Sequence, residues 1–155
     1  MKNYCFNTNI YIYQKEAKWK ATEINTIRKV LKVTNIKRNG LTIRLSNDID
    51  VKAFNLKWKG VNKPTNILSF LNSDKVFSYE NNMIYLGDII ISYDTLLKEV
   101  RSRKIDFQDH LSHILIHGIL HLQGHTHDHE KDTRLMQNEE KRLLKNLKIK
   151  NPYMI

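Results

Sequence analysis

The sequence predicts an α+β (α/β layered) fold. One domain over residues 1–155 places a mixed sheet of about four strands against about five helices, one of them a buried central helix. Three observations carry this expectation. Strand-like and helix-like stretches alternate along the 155 residues with no internal repeat or linker. Hydrophobic residues make up 41% of the chain, enough for a core, and no stretch is apolar over the length that a bilayer requires. All seven histidines lie between His110 and His129, inside and just beyond the most apolar helical stretch of the sequence.

The elements follow in order. Ile10-Tyr11-Ile12-Tyr13 reads as the first strand, and Lys15 to about Lys32 has helical periodicity through Ala17, Ile24, Ile27, Val30 and Leu31. Leu41-Thr42-Ile43-Arg44-Leu45 alternates as a strand. Asn47-Asp48 caps a short helix to about Lys59, which Gly60 ends, and Asn66-Ile67-Leu68-Ser69-Phe70 is a third strand. A loop spans 72–82. Met83 to Ser92 is the strongest strand, Tyr93 to about Lys104 is helical, Asp106 caps the histidine helix, and Glu130 to about Leu147 is a final amphipathic helix.

Four residues of the histidine window spell His117-x3-His121-x2-Gly124-x2-His127. Residues four apart share a helical face, so the imidazoles of His117 and His121 converge on one point; a glycine then ends the helix and lets His127 return as a third ligand. Three imidazoles with a fourth position left open are the donor set of a catalytic zinc, one ion per chain. Cys5 is the only cysteine, which rules out a thiolate cage. The flanking Leu111, Ile114, Leu115, Ile116, Ile119, Leu120 and Leu122 make the helix apolar nearly all round, as a buried element is and a solvated histidine tract is not. His113 continues the same stripe. It lies about 12 Å along the axis from His121, too far for both to reach one ion, so it belongs to the surroundings of the metal or to the pocket. His125 and His129 flank the third ligand as further pocket groups, and His110 is expected at the surface.

The ligand spacing equals that of the zinc-protease motif H-E-x-x-H-x-x-G-x-x-H, with Gly118 in place of the glutamate that serves as general base. Without that proton acceptor, peptide hydrolysis is disfavoured. The charge balance points elsewhere. Lys plus Arg number 26 against 16 Asp plus Glu, a net +10, with clusters at Lys15–Lys20, Arg28–Arg38, Lys57–Lys63 and Lys141–Lys150, which biases the chain towards polyanions. The stretch Met1-Lys2-Asn3-Tyr4-Cys5 has no apolar run with a small-residue cleavage site, and one cysteine builds no disulfide framework, so a cytoplasmic location is expected. Trp19, Trp58 and Tyr93 are candidates for stacking on bases, although aromatics at such spacing more often fill cores.

From about Leu41 to Tyr153 the chain resembles the YbeY family of bacterial endoribonucleases, or rRNA maturation factors. The match runs through His113-x3-His117-Gly118-Ile119-Leu120-His121-Leu122-Gln123-Gly124-His125-Thr126-His127, similar to the family's H-G-x-L-H-L-x-G-Y-D-H and followed by Met136. Lys63-Pro64-Thr65-Asn66-Ile67-Leu68-Ser69-Phe70 and Leu86-Gly87-Asp88-Ile89-Ile90-Ile91-Ser92 resemble two further family stretches. The resemblance implies a zinc-dependent, single-strand-specific endoribonuclease that acts on ribosomal RNA precursors, including the 3′ end of the small-subunit RNA, and in ribosome quality control. Its implied partners are RNA and the small ribosomal subunit or its proteins, with no membrane and no DNA. It also implies His117, His121 and His127 as zinc ligands and places the family's functionally important arginine on Lys59, the catalytic candidate. A lysine keeps the charge and loses the planar fork that grips a phosphate. The family's Tyr-Asp before the third ligand is His125-Thr126 here, with His125 a titratable replacement. The alternative is a ribosome-assembly binding factor whose zinc is structural. Asp88, the carboxylate of the last stretch, fits a strand-end residue that bonds backbone at least as well as a catalytic one, and it is left out of the catalytic set.

Overall fold

The structure is a computed structural model that describes residues 2–7, 9–36, 39–72, 77–78 and 83–153. Its elements in chain order are β1 (Lys2–Asn7), β2 (Ile10–Gln14), α1 (Ala21–Val33), β3 (Asn39–Ser46), α2 (Asp48–Lys59), β4 (Ile67–Leu71), β5 (Phe77–Ser78), β6 (Met83–Ser92), α3 (Tyr93–Arg103), α4 (Phe107–Leu122) and α5 (Glu130–Asn146). The strand order is β1-β2-β3-β6-β4, with the short β5 also on β6. β2, β3 and β6 run parallel; β1 is antiparallel to β2, and β4 and β5 are antiparallel to β6. The mixed α+β fold is therefore as expected, with two more strands than the sequence suggested. β1 begins with Lys2 and Asn3 and alternates only briefly, with Tyr4 and Phe6 on the core side; β5 is two residues long within the expected 72–82 loop, most of which lies outside the described residues.

Alternation along β6 divides the protein into two layers. Ile89 and Ile91 face the main core with Ile10, Ile12, Leu41, Ile43 and the buried residues of α1 and α4, whereas Ile90 faces Val51 and Leu68 beneath α2, with Phe54 and Phe70 packed alongside. α4 lies in the first layer between α1, α3 and α5 and against β4. That position explains its composition. Leu111, Leu115, Ile116 and Ile119 are fully buried, as a helix enclosed on most sides demands. Among the described residues no helix is long and apolar enough to cross a membrane.

Local chemistry fixes the boundaries. The Asn47 side chain accepts from the Asp50 N–H to start α2, and Gly60 ends it in the left-handed region (φ +70°). Asp106 starts α4 by accepting from the Asp109 N–H. α1 begins at Ala21 rather than Lys15, because the Lys15 and Glu16 N–H groups both bond the Leu45 carbonyl and prolong the β2–β3 pairing. Trp19 in this lead-in is buried, donates Nε1–H to the Ser46 carbonyl at 3.0 Å, and meets Tyr93 edge-on at 5.2 Å between ring centres. Trp19 and Tyr93 are thus packing residues, and only Trp58 of the three stacking candidates is exposed.

Candidate metal centre

α4 and the turn after it bring three histidines together. His117 and His121 lie one turn apart on the face of α4 that looks past β4, with their Nε2 atoms 3.0 Å apart. After Leu122 the chain reverses at Gly124 (φ +103°), where the Gly124 N–H bonds the His121 carbonyl and the His125 N–H bonds the Leu120 carbonyl. The reversal carries His127 back until its ring lies 4.9 Å from that of His121 and 5.9 Å from that of His117, centre to centre. One ring nitrogen from each of the three then lies within 4.8 Å of the others.

The hydrogen bonds behind the rings fix which nitrogens are free. His117 Nδ1 lies 2.5 Å from Glu140 Oε1, and His121 Nδ1 lies 3.1 Å from the His125 carbonyl oxygen. Both partners are acceptors, so both Nδ1 atoms carry the proton and donate, which leaves each Nε2 with a lone pair. Two lone pairs facing each other at 3.0 Å repel unless a cation lies between them. A tetrahedral ion with bonds of about 2.0–2.1 Å separates its donors by roughly 3.3 Å, close to the spacing observed. The three imidazoles fit a divalent ion of zinc's preferences. Burial, then the neighbouring His117 and His127, lowers the His121 pKa, which keeps this ring neutral, the form that coordinates.

Sequence reasoning missed the carboxylate behind His117. Glu140 is fully buried on the inner stripe of α5 with Met136, Leu143 and Leu144. Burial alone would raise its pKa, but bonds from His113, His117 and Tyr153 outweigh that and bring it down to about 2. Its Oε2 accepts from the Tyr153 hydroxyl and lies 3.6 Å from His113 Nε2, and His113 Nε2 lies 3.2 Å from the Tyr153 oxygen. The signal was present in the sequence: a glutamate in register with three apolar residues of an amphipathic helix is a charge aimed at the core, and such a charge needs a partner.

The histidines open onto a cleft of about 550 Å³ that is also lined by Lys59, Asn66, Ser69, His113 and Tyr153. Lys59, the last residue of α2, thus faces the same cleft, with its Nζ 5.8 Å above the Phe70 ring. His113 is in the pocket, as its spacing required. His125 supplies its carbonyl to His121, while its side chain and that of His129 are absent from the lining residues. His110 corrects the expectation of exposure: it is only 3% exposed, with Nε2 3.0 Å from Glu99 Oε1, because the first turns of α4 pack beside α3. Asp88 is not a strand-end residue either. It lies inside β6, exposed, and accepts from the Tyr85 hydroxyl at 2.6 Å beside Thr42, away from the histidine cleft.

Gly118 has a packing reason. A Cβ there would meet Ile67 Cδ1 at 2.7 Å and Ser69 Oγ at 3.0 Å on β4, so any larger side chain at this position must push these two side-chain tips aside. Among the described residues that line the cleft there is no aspartate or glutamate.

The model for the family described as endoribonuclease YbeY matches residues 6–148. The chain belongs to that family. Among curated YbeY proteins, that of Nitrobacter hamburgensis is 40% identical over 115 residues, covering 73% of this chain and 60% of the relative, and that of Bartonella henselae is 37% identical over 131 residues, covering 84% and 81%. The chain thus spans about three-fifths of the length of the Nitrobacter relative. The solution structure of TM1509 from Thermotoga maritima superimposes with a TM-score of 0.53 over 93% of this chain and 99% of that one at 19% identity, a likeness of fold. The YbeY match includes α4 and the turn after it, so the three histidines lie within the matched region.

Proposed function

We propose that the protein is a zinc-dependent, single-strand-specific endoribonuclease that matures ribosomal RNA precursors in the cytoplasm, including the 3′ end of the small-subunit RNA, and takes part in ribosome quality control. The observation that carries this reading is the pair of Nε2 atoms held 3.0 Å apart by acceptors behind both rings, with a lysine on the wall of the same cleft. The curated YbeY relatives, each named an endoribonuclease, support the reaction class.

His117, His121 and His127 would hold one zinc ion, which supplies Lewis acidity beside the scissile phosphate. Lys59 neutralises charge that develops on the phosphate oxygens. As a point charge it orients the phosphate less than an arginine fork does. Among the described residues the cleft wall carries no carboxylate, and we take the RNA 2′-hydroxyl as the nucleophile, with its proton passing to the imidazole of His113 and the departing 5′-oxygen protonated by solvent. His113 is the histidine of the cleft wall that is not among the three ligands. The RNA partners extend to the small ribosomal subunit, with the net charge of +10 aiding approach.

The test is cleavage of a labelled RNA with a single-stranded 3′ tail by the purified protein, beside a His117→Ala, His121→Ala double variant prepared identically. Cleavage lost in the variant, with circular dichroism unchanged and a 2′,3′-cyclic phosphate on the product, supports the reading. Equal cleavage by both, or none by either, favours an assembly factor with a structural metal; a 5′-phosphate and free 3′-hydroxyl would indicate attack by water.

A further inference from the structure

We infer that Tyr153 is a positioning residue of the metal centre: its hydroxyl decides which of two histidines the buried Glu140 serves, and so sets how tightly His117 is held for the ion. The inference rests on the metal reading of the three histidines.

Glu140 has two oxygens and three candidate donors. Oε1 faces His117 Nδ1 at 2.5 Å; Oε2 faces the Tyr153 hydroxyl and, at 3.6 Å, His113 Nε2. The two histidines are successive members of one stripe on α4, so the carboxylate stands opposite both and has a choice. The Tyr153 hydroxyl resolves it. By donating to Oε2 it satisfies that oxygen, and its own oxygen takes the place at 3.2 Å where His113 Nε2 finds a partner. The carboxylate plane is then fixed with Oε1 towards His117, the histidine whose Nε2 faces His121. Without the hydroxyl, the nearest remaining donor to the fully buried Oε2 is His113 Nε2 at 3.6 Å, and the remedy nearest to hand is a turn of the carboxylate towards His113. That turn weakens the hold on His117 Nδ1, frees its ring to rotate and lowers its basicity.

The backbone around Tyr153 is built to hold it. After α5 the chain turns at Lys148 in the left-handed region (φ +61°), the Ile149 N–H bonds the Leu144 carbonyl, and the Tyr153 N–H bonds Asn151 Oδ1 at 2.9 Å. The ring meets His113 edge-on at 5.6 Å, with Lys141 Nζ 5.9 Å from its centre. These contacts belong to the ring and survive in phenylalanine, so Tyr153→Phe removes the hydroxyl and little else.

The experiment is metal binding rather than cleavage. Zn²⁺ affinity is measured by competition with a chromophoric chelator for the wild-type protein and Tyr153→Phe, and the Co²⁺ forms are compared by their d–d absorption. The expected result is an affinity about 10- to 100-fold weaker in Tyr153→Phe, the usual effect of losing a partner behind a ligating histidine, together with a shifted Co²⁺ band and an unchanged far-ultraviolet circular dichroism spectrum. Affinity within twofold of wild type with an unchanged Co²⁺ band overturns the inference and leaves the metal reading intact, whereas wild-type protein that binds neither ion overturns both. Nuclear magnetic resonance of the unsubstituted protein gives a second readout that no folding defect can confuse. A Tyr153 hydroxyl proton and a His117 Nδ1 proton, both in slow exchange with water, support the arrangement; their absence from the Zn²⁺-loaded protein overturns it.

Discussion

At the scale of single residues, the site depends on what lies behind the histidines as much as on the histidines. Gly118→Ala is expected to lower stability by about 1–3 kcal/mol, since a methyl must displace Ile67 or Ser69 of β4; a thermal melt checks this. The same substitution puts no proton acceptor in the cleft and so isolates packing from chemistry. Lys59→Ala is expected to slow RNA cleavage about 10²-fold with an unchanged melting temperature, and Lys59→Arg to retain most of the rate, as single-turnover kinetics would report. The three imidazoles were legible in the sequence because ligand spacing is a local property of a helix and a glycine turn. Glu140 and Tyr153 were not. Their meaning depends on α5 lying beside α4, a tertiary fact that spacing along the chain does not encode, although the single charge on the apolar stripe of α5 was a pointer.

At the scale of elements, the caps and hydrophobic periods were read well, and errors arose where neighbours overrode them. Residues Lys15 to Lys20 have helical periodicity, yet the Leu45 carbonyl claims two of their N–H groups. β1 offers only a brief signal, Tyr4 and Phe6 alternating onto the core, as suits a short edge strand with one exposed face. α2 shows the opposite case, in which the sequence announces an anchor. Its first turn carries Asp48 and Asp50, which bind it to the sheet and to α3. Burial alone would raise both carboxyls, but Ser92, Thr95 and Lys98 hold Asp48 below the ordinary value of 3.8, and Lys15, Ser46 and Arg44 do the same for Asp50. A depressed folded-state pKa contributes stability above the unfolded value and loses it as pH falls through the folded one. The melting temperature is therefore expected to fall between about pH 5 and pH 2, and less steeply in an Asp48→Asn, Asp50→Asn double variant, measured by calorimetry at fixed ionic strength.

At the scale of the whole molecule, ion binding and folding share one free energy. Zn²⁺ at about 100 times its dissociation constant is expected to stabilise the wild-type protein by about 2.7 kcal/mol, seen as a rising melting temperature on titration; the His117→Ala, His121→Ala variant should not respond. RNA affinity should weaken linearly in log–log form as salt rises, because a chain of net charge +10 binds by displacing counterions from phosphates. Filter binding across a salt series measures the slope.

The order of β6 within the sheet has a consequence for how the protein is made. β6 is the hub: it joins the parallel strands to β4 and β5, yet it comes after the midpoint of the chain. During synthesis β4, which walls the cleft, has no partner until residues 83–92 emerge, and His117 has no acceptor behind it until Glu140 follows. A nascent chain therefore cannot assemble a complete metal centre before nearly all of its domain has left the ribosome. The histidine cluster and its buried acceptor are thus completed only as folding finishes, a timing built into the strand order itself.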